Sequence, residues 1–86
     1  MIRIWAKVLK EDKIIKQCVF ERVESIDYSE FFNYLTEICN NLDIPTPVLI
    51  KTNIFNYAKY NVVRFKKDDF VESIDFDKLV LENAFI

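Results

Sequence analysis

Along the first eight residues apolar and polar side chains alternate, with Ile2, Ile4, Ala6 and Val8 on one face and Arg3, Trp5 and Lys7 on the other. A period of two predicts a half-buried β-strand. The polar stretch Lys10-Glu11-Asp12-Lys13 predicts a turn, and the β-branched and aromatic run from Ile14 to Phe20 a second strand, so the pair reads as a β-hairpin. The turn contains neither Asn-Gly nor Asp-Gly, and a loop of four or five residues is expected in place of a two-residue one.

From Asp27 the pattern becomes helical. Asp27-Tyr28-Ser29-Glu30 fits a capping box with an acidic N-cap, and Phe31, Leu35, Ile38, Cys39 and Leu42 recur on one side, with Phe32 widening the stripe. Glu30, Asn33, Glu37, Asn40 and Asn41 take the other side, and Pro45 and Pro47 end the helix. Val48-Leu49-Ile50 reads as a short buried strand. Residues 53–60 fit a second helix, since Ile54, Tyr57, Ala58 and Asn61 share a helical face and Thr52 or Asn53 offers a cap, with continued strand as the alternative. Residues 61–65 read as strand, 66–69 as a charged turn, and 78–82 as a final strand. The order β-β-α-β-(α)-β-β predicts one α+β domain over residues 1–86: a small antiparallel sheet with one main helix packed on one face.

Composition removes whole classes of chemistry. With 86 residues and 51 % hydrophobic content, the chain has enough apolar surface for one core and a folded area of roughly 5,400 Å². There is no glycine, so backbone loops that cradle phosphate, dinucleotide or kinase-bound nucleotide are not expected, nor are the glycine-bearing RNA motifs of KH and RRM domains. There is no histidine, which removes Ser-His-Asp and Cys-His catalysis and leaves Lys, Asp, Glu, Tyr and Cys as proton carriers. Cys18 and Cys39 make no four-ligand zinc site and read as buried thiols, a disulfide or redox pair being the alternative. No cofactor is expected. The alternating N-terminal residues do not build the apolar block of a secretory leader, and no apolar run approaches membrane-spanning length, so a cytoplasmic protein without membrane association is expected.

The net charge of −2 conceals alternating blocks: +3 over residues 1–22, −5 over 23–47, +5 over 48–67 and −5 over 68–86. The basic block interleaves Lys51, Lys59, Arg64, Lys66 and Lys67 with Phe55, Tyr57, Tyr60 and Phe65. Cations beside rings suit single-stranded nucleic acid, with Tyr57 and Tyr60 as stacking groups, but they equally serve as core aromatics and solubilising lysines. The acidic run Asp68, Asp69, Glu72, Asp75 and Asp77 lacks the calcium-loop pattern and suggests at most a metal-assisted hydrolase. Trp5, on the polar side of the first strand, is a candidate contact anchor or a packed ring.

Leu42-Asp43-Ile44-Pro45-Thr46-Pro47-Val48-Leu49, the run from Asp68 to Leu79, and the opening Ile4-Trp5-Ala6-Lys7 resemble a family of short bacterial proteins of the Firmicutes type with no assigned activity. The resemblance implies a self-contained domain and transfers no site residue. The leading expectation is a non-enzymatic protein-interaction module with charge-segregated surfaces, its partner another protein or a second copy. Single-stranded nucleic-acid binding through residues 51–67 stands second, and the hydrolase third.

Overall fold

The computed structural model describes residues 1–85. The N-terminal alternation becomes β1 (Ile2–Lys10), which turns back into β2 (Lys13–Arg22). A 3₁₀ turn, Tyr28–Glu30, leads into α1 (Phe31–Leu42), followed by α2 (Lys51–Tyr60), β3 (Val62–Lys66), a 3₁₀ turn Lys67–Asp69 and β4 (Lys78–Asn83). The four strands form one antiparallel sheet in the order β2-β1-β4-β3, and the fold is α+β as expected.

Register decides which side chains make the core. Ile4 and Ala6 of β1 lie opposite Phe20 and Cys18 of β2, and Ala6 and Val8 lie opposite Leu81 and Leu79 of β4, which in turn oppose Val63 and Phe65 of β3. That face is covered by Phe31, Leu35, Ile38, Cys39 and Leu42 of α1 and by Tyr57 of α2. Phe70 and Phe76, from the irregular stretch before β4, join the same core with their rings edge to face, centroids 5.5 Å apart. The exposed area of 5523 Å² and radius of gyration of 12.0 Å are those of a well-packed chain of this length, about 12 Å by size scaling. The other sheet face carries Arg3, Trp5, Lys7, Val80, Glu82, Arg64 and Lys66, and the buried residues of both helices pack on the first face instead.

Four local features depart from the pattern-based expectations. The hairpin loop has two residues, because Glu11 (φ 53°) and Asp12 (φ 64°) both take the left-handed conformation of a tight primed turn without the glycine that eases it. A backbone hydrogen bond from Glu11 N to Asp77 Oδ2 (2.7 Å) helps to hold it there. Replacing Glu11 by Asn and Asp12 by Gly is therefore expected to stabilise the domain by about 1 kcal/mol, seen as a higher urea midpoint with unchanged slope. Unchanged or lowered stability would show that the side chains offset the backbone strain.

Val48-Leu49-Ile50 forms no strand. Ile50 donates its N–H to Asn53 Oδ1 (2.9 Å) and so serves as the N-terminal cap of α2, while Val48 N reaches only Asp69 O (2.8 Å). Val48 and Ile50 are exposed, and the sheet has four strands. Phe32 is also exposed and does not widen the buried stripe of α1. The main helix begins at Phe31 and not at the capping sequence, since the Asp27 carboxylate instead caps the preceding 3₁₀ turn through Ser29 N (3.0 Å) and Ser29 Oγ (2.7 Å). Helix α1 ends where Asp43 enters the left-handed region (φ 56°) and Ile44 N bonds back to Cys39 O (3.0 Å), and α2 ends likewise at Asn61 (φ 63°).

Candidate functional site

β3 is an edge strand, and α2 precedes it through the single residue Asn61, so the two elements carry their side chains to one flank. Alternation along β3 buries Val63 and Phe65 and leaves Arg64 and Lys66 outside. On α2, the spacing of four places Lys51, Phe55 and Lys59 on one exposed stripe. Tyr60, next to that stripe, lines a cleft of about 250 Å³ with Asn56, Val62, Val63 and Arg64. Of the basic block, Tyr60 and Arg64 thus meet at the β3 edge, with Asn56 added by the helix, while Lys51, Phe55 and Lys59 follow along α2 and Lys66 lies further along β3.

The electrostatics of the flank are uncompensated. Among the described residues the ion pairs are Arg3 with Glu21 (2.9 Å), Lys7 with Glu82 (3.7 Å), Arg22 with Glu37, and Lys67 with Asp77 (3.9 Å). Lys51, Lys59, Arg64 and Lys66 have no carboxylate partner in that set, and all four are exposed. The Lys59 ammonium lies 5.6 Å from the Phe55 ring centre and 5.3 Å from that of Tyr60, so cation and rings form one exposed cluster. Phe55 and Tyr60 are each 59 % exposed.

Two expected site residues lie elsewhere. Tyr57 is 2 % exposed and packs against Phe31, with centroids 5.2 Å apart, so its ring is a core element and cannot stack on a base. It lies on the inner face of α2, where its ring completes the core. Trp5 sits on β1, separated from β3 by β4, and its ring is engaged: Nε1 donates to Gln17 Oε1 (2.9 Å) and the Lys7 ammonium lies 4.1 Å from its centre. Trp5 is therefore half-buried in the outer sheet layer and takes no part in the flank.

The acidic run is dispersed. Asp69 accepts the Lys66 N–H (2.8 Å) and caps a 3₁₀ turn, Asp77 holds the hairpin through Glu11 N, and Asp68, Glu72 and Asp75 are exposed on the loop. Among the described residues no three His, Cys, Asp or Glu side chains come together to hold a metal ion. The cysteines are both free thiols, Cys39 in the core and Cys18 partly exposed. Burial pushes Cys18 up from the usual thiol range and Cys39 up to about 11, so both are held protonated and poorly nucleophilic. Among the described residues no helix is long and apolar enough to cross a membrane.

A second concavity, of about 430 Å³, lies at the other end of the core. Its apolar lining includes Val8, Ile44, Ile74 and Phe76, and Asp43, Asp75 and Lys16 bring charge to it. Lys16 is there because regular pairing sets it opposite Val8, on the face of Cys18 and Phe20, and its ammonium donates to Leu42 O (3.0 Å) at the end of α1; the bulge that follows leaves Ile15 as the extra residue beside it. Periodicity did not reveal this cleft, because its walls come from four segments separated in sequence. Phe55 belongs to the basic and aromatic block read from the sequence, and its spacing of four from both Lys51 and Lys59 sets it inside the basic stripe.

Comparison of the chain with protein-family models, curated proteins and solved structures finds no match. The resemblance carried by the Ile44-Pro45-Thr46-Pro47-Val48 and Asp68–Leu79 runs accordingly assigns no role to any residue.

Proposed function

We propose that the chain is a non-enzymatic protein-interaction module whose α2–β3 flank receives an acidic surface of its partner. The observation that carries this reading is the Lys59 ammonium set against the exposed rings of Phe55 and Tyr60, with Arg64 sharing the cleft beside Tyr60, while Lys51, Lys59, Arg64 and Lys66 are exposed and without carboxylate partners among the described residues. Complementary charge steers association and excludes wrong partners, and a partly exposed aromatic at the centre of such a patch supplies the apolar anchor. Lys67 contributes less, because it already faces Asp77.

Single-stranded nucleic acid remains the second reading, favoured by the Tyr60 and Arg64 side chains sharing one cleft. Burial of Tyr57 counts against it, since it removes one of the two rings assigned to stacking.

The test is capture from lysate with and without nuclease, identification of what is retained, and direct binding of the purified protein. Neutralising Lys51, Lys59, Arg64 and Lys66 to Gln together is expected to weaken binding of an acidic protein partner by about tenfold or more while circular dichroism is unchanged, and added salt should do the same to the wild type. Equal binding by wild type and variant overturns the reading. Material lost on nuclease treatment favours the nucleic-acid alternative.

A further inference from the structure

The flank and the larger cleft are chemical opposites. The flank projects an apolar ring between two ammonium groups: Phe55, with Lys51 one turn before it and Lys59 one turn after. The cleft has an apolar lining whose accessible part is Ile15, Ile44 and Ile74, above the buried Val8 and Phe76, and two exposed carboxylates, Asp43 and Asp75, that have no cationic partner among the described residues. Its one cation, Lys16, donates to the carbonyl of Leu42 at the negative end of α1, so two carboxylates against one ammonium leave the cleft with an excess of negative charge. No residue of α2 lines the cleft, so the two surfaces of one molecule do not satisfy each other.

We infer that a second copy of the chain docks head to tail, with Phe55 of one molecule entering the cleft of the next and Lys51 and Lys59 meeting Asp43 and Asp75. This rests on the α2–β3 flank being a docking surface, and it specifies the partner as the same protein. The two contacting patches differ, so each bound pair keeps one free flank and one free cleft, and assembly extends from either end unless the rotation closes it into a ring. The contact is small and charge-assisted, which makes it concentration-dependent and salt-sensitive.

Sedimentation of the purified chain tests this with two complementary defects. Phe55→Ala with Lys59→Glu removes the plug and leaves the cleft; Asp43→Asn with Asp75→Lys spoils the cleft and leaves the plug. All four positions are exposed, so both variants are expected to fold, with wild-type circular dichroism. The wild type should grow in average mass with concentration and return to monomer at about 1 M salt, where charges are screened beyond about 3 Å. Each variant alone should stay monomeric, and an equimolar mixture should give a heterodimer that grows no further. A wild type that remains monomeric throughout, variants that assemble like the wild type, or a mixture that forms no heterodimer overturns the inference. If an acidic protein is still captured through Lys51, Lys59, Arg64 and Lys66 while the wild type is monomeric, self-docking alone fails and the flank keeps its proposed role.

Discussion

Phe31→Ala is expected to remove a large part of the domain's stability, whereas Phe32→Ala, one residue on, should be nearly silent. Phe31 is 1 % exposed and Phe32 is 54 % exposed. The Phe31 ring meets Tyr57 at 5.2 Å and Tyr34 at 6.2 Å, so it joins the two helices above the sheet. Deleting a buried phenyl costs about 3–5 kcal/mol, since its transfer energy is lost and a cavity remains. A domain of this size has only about 4–13 kcal/mol in total. The melting temperature of Phe31→Ala should fall by more than about 12 °C, and that of Phe32→Ala by less than about 4 °C. Similar shifts for the two variants would mean that α1 does not present the face described.

The second large effect is alkaline. Burial pushes the Tyr57 phenol up from 10 to about 12 and the Cys39 thiol up from 9 to about 11; at Cys39 a hydrogen bond with Thr46 partly opposes burial, and proximity to Cys18 adds to it. Both folded-state values lie above the unfolded ones, so between them the folded chain binds more protons and stability falls as pH rises. The contribution is complete below about pH 9 and is lost by about pH 12, amounting to about 2–3 kcal/mol for each group. Tyr57→Phe should abolish its share, giving a shallower loss of urea stability between about pH 9.5 and 12 with little change at neutral pH. A variant whose alkaline loss equals that of the wild type would show that Tyr57 ionises without cost, and hence that its hydroxyl reaches water.

Which parts of this were legible in the sequence follows from how local their causes are. The alternation of Ile2, Ile4, Ala6 and Val8 and the helical spacing of Phe31, Leu35, Ile38 and Leu42 each report one element with one buried face, and all eight residues are in the core. Val48-Leu49-Ile50 has the same apolar character, but a side chain three residues away, Asn53, claims the Ile50 N–H for a helix cap. Phe70 and Phe76 lie in a stretch without periodicity, and only the closure of the sheet explains their burial. For the site, the cationic side chains were visible as a block of charge, whereas Tyr57 was separated from Tyr60 only by the helix turning one inward and the other outward. The cleft of Asp43 and Asp75 is a product of tertiary assembly, with nothing periodic to announce it.

The placement of β1 between β2 and β4 also governs when the domain can form during synthesis. β1 gains its first neighbour at once through the two-residue turn, but its second is β4, so Ala6 meets Leu81 only after the ribosome has passed residue 81. At a synthesis rate of about 5–20 residues per second, the hairpin and α1 wait several seconds with one side of β1 unpaired. β3 waits too, since its pairing in the sheet is with β4. β4 is therefore the strand that closes the sheet, and a nascent chain that stops short of it leaves both β1 and β3 without that neighbour.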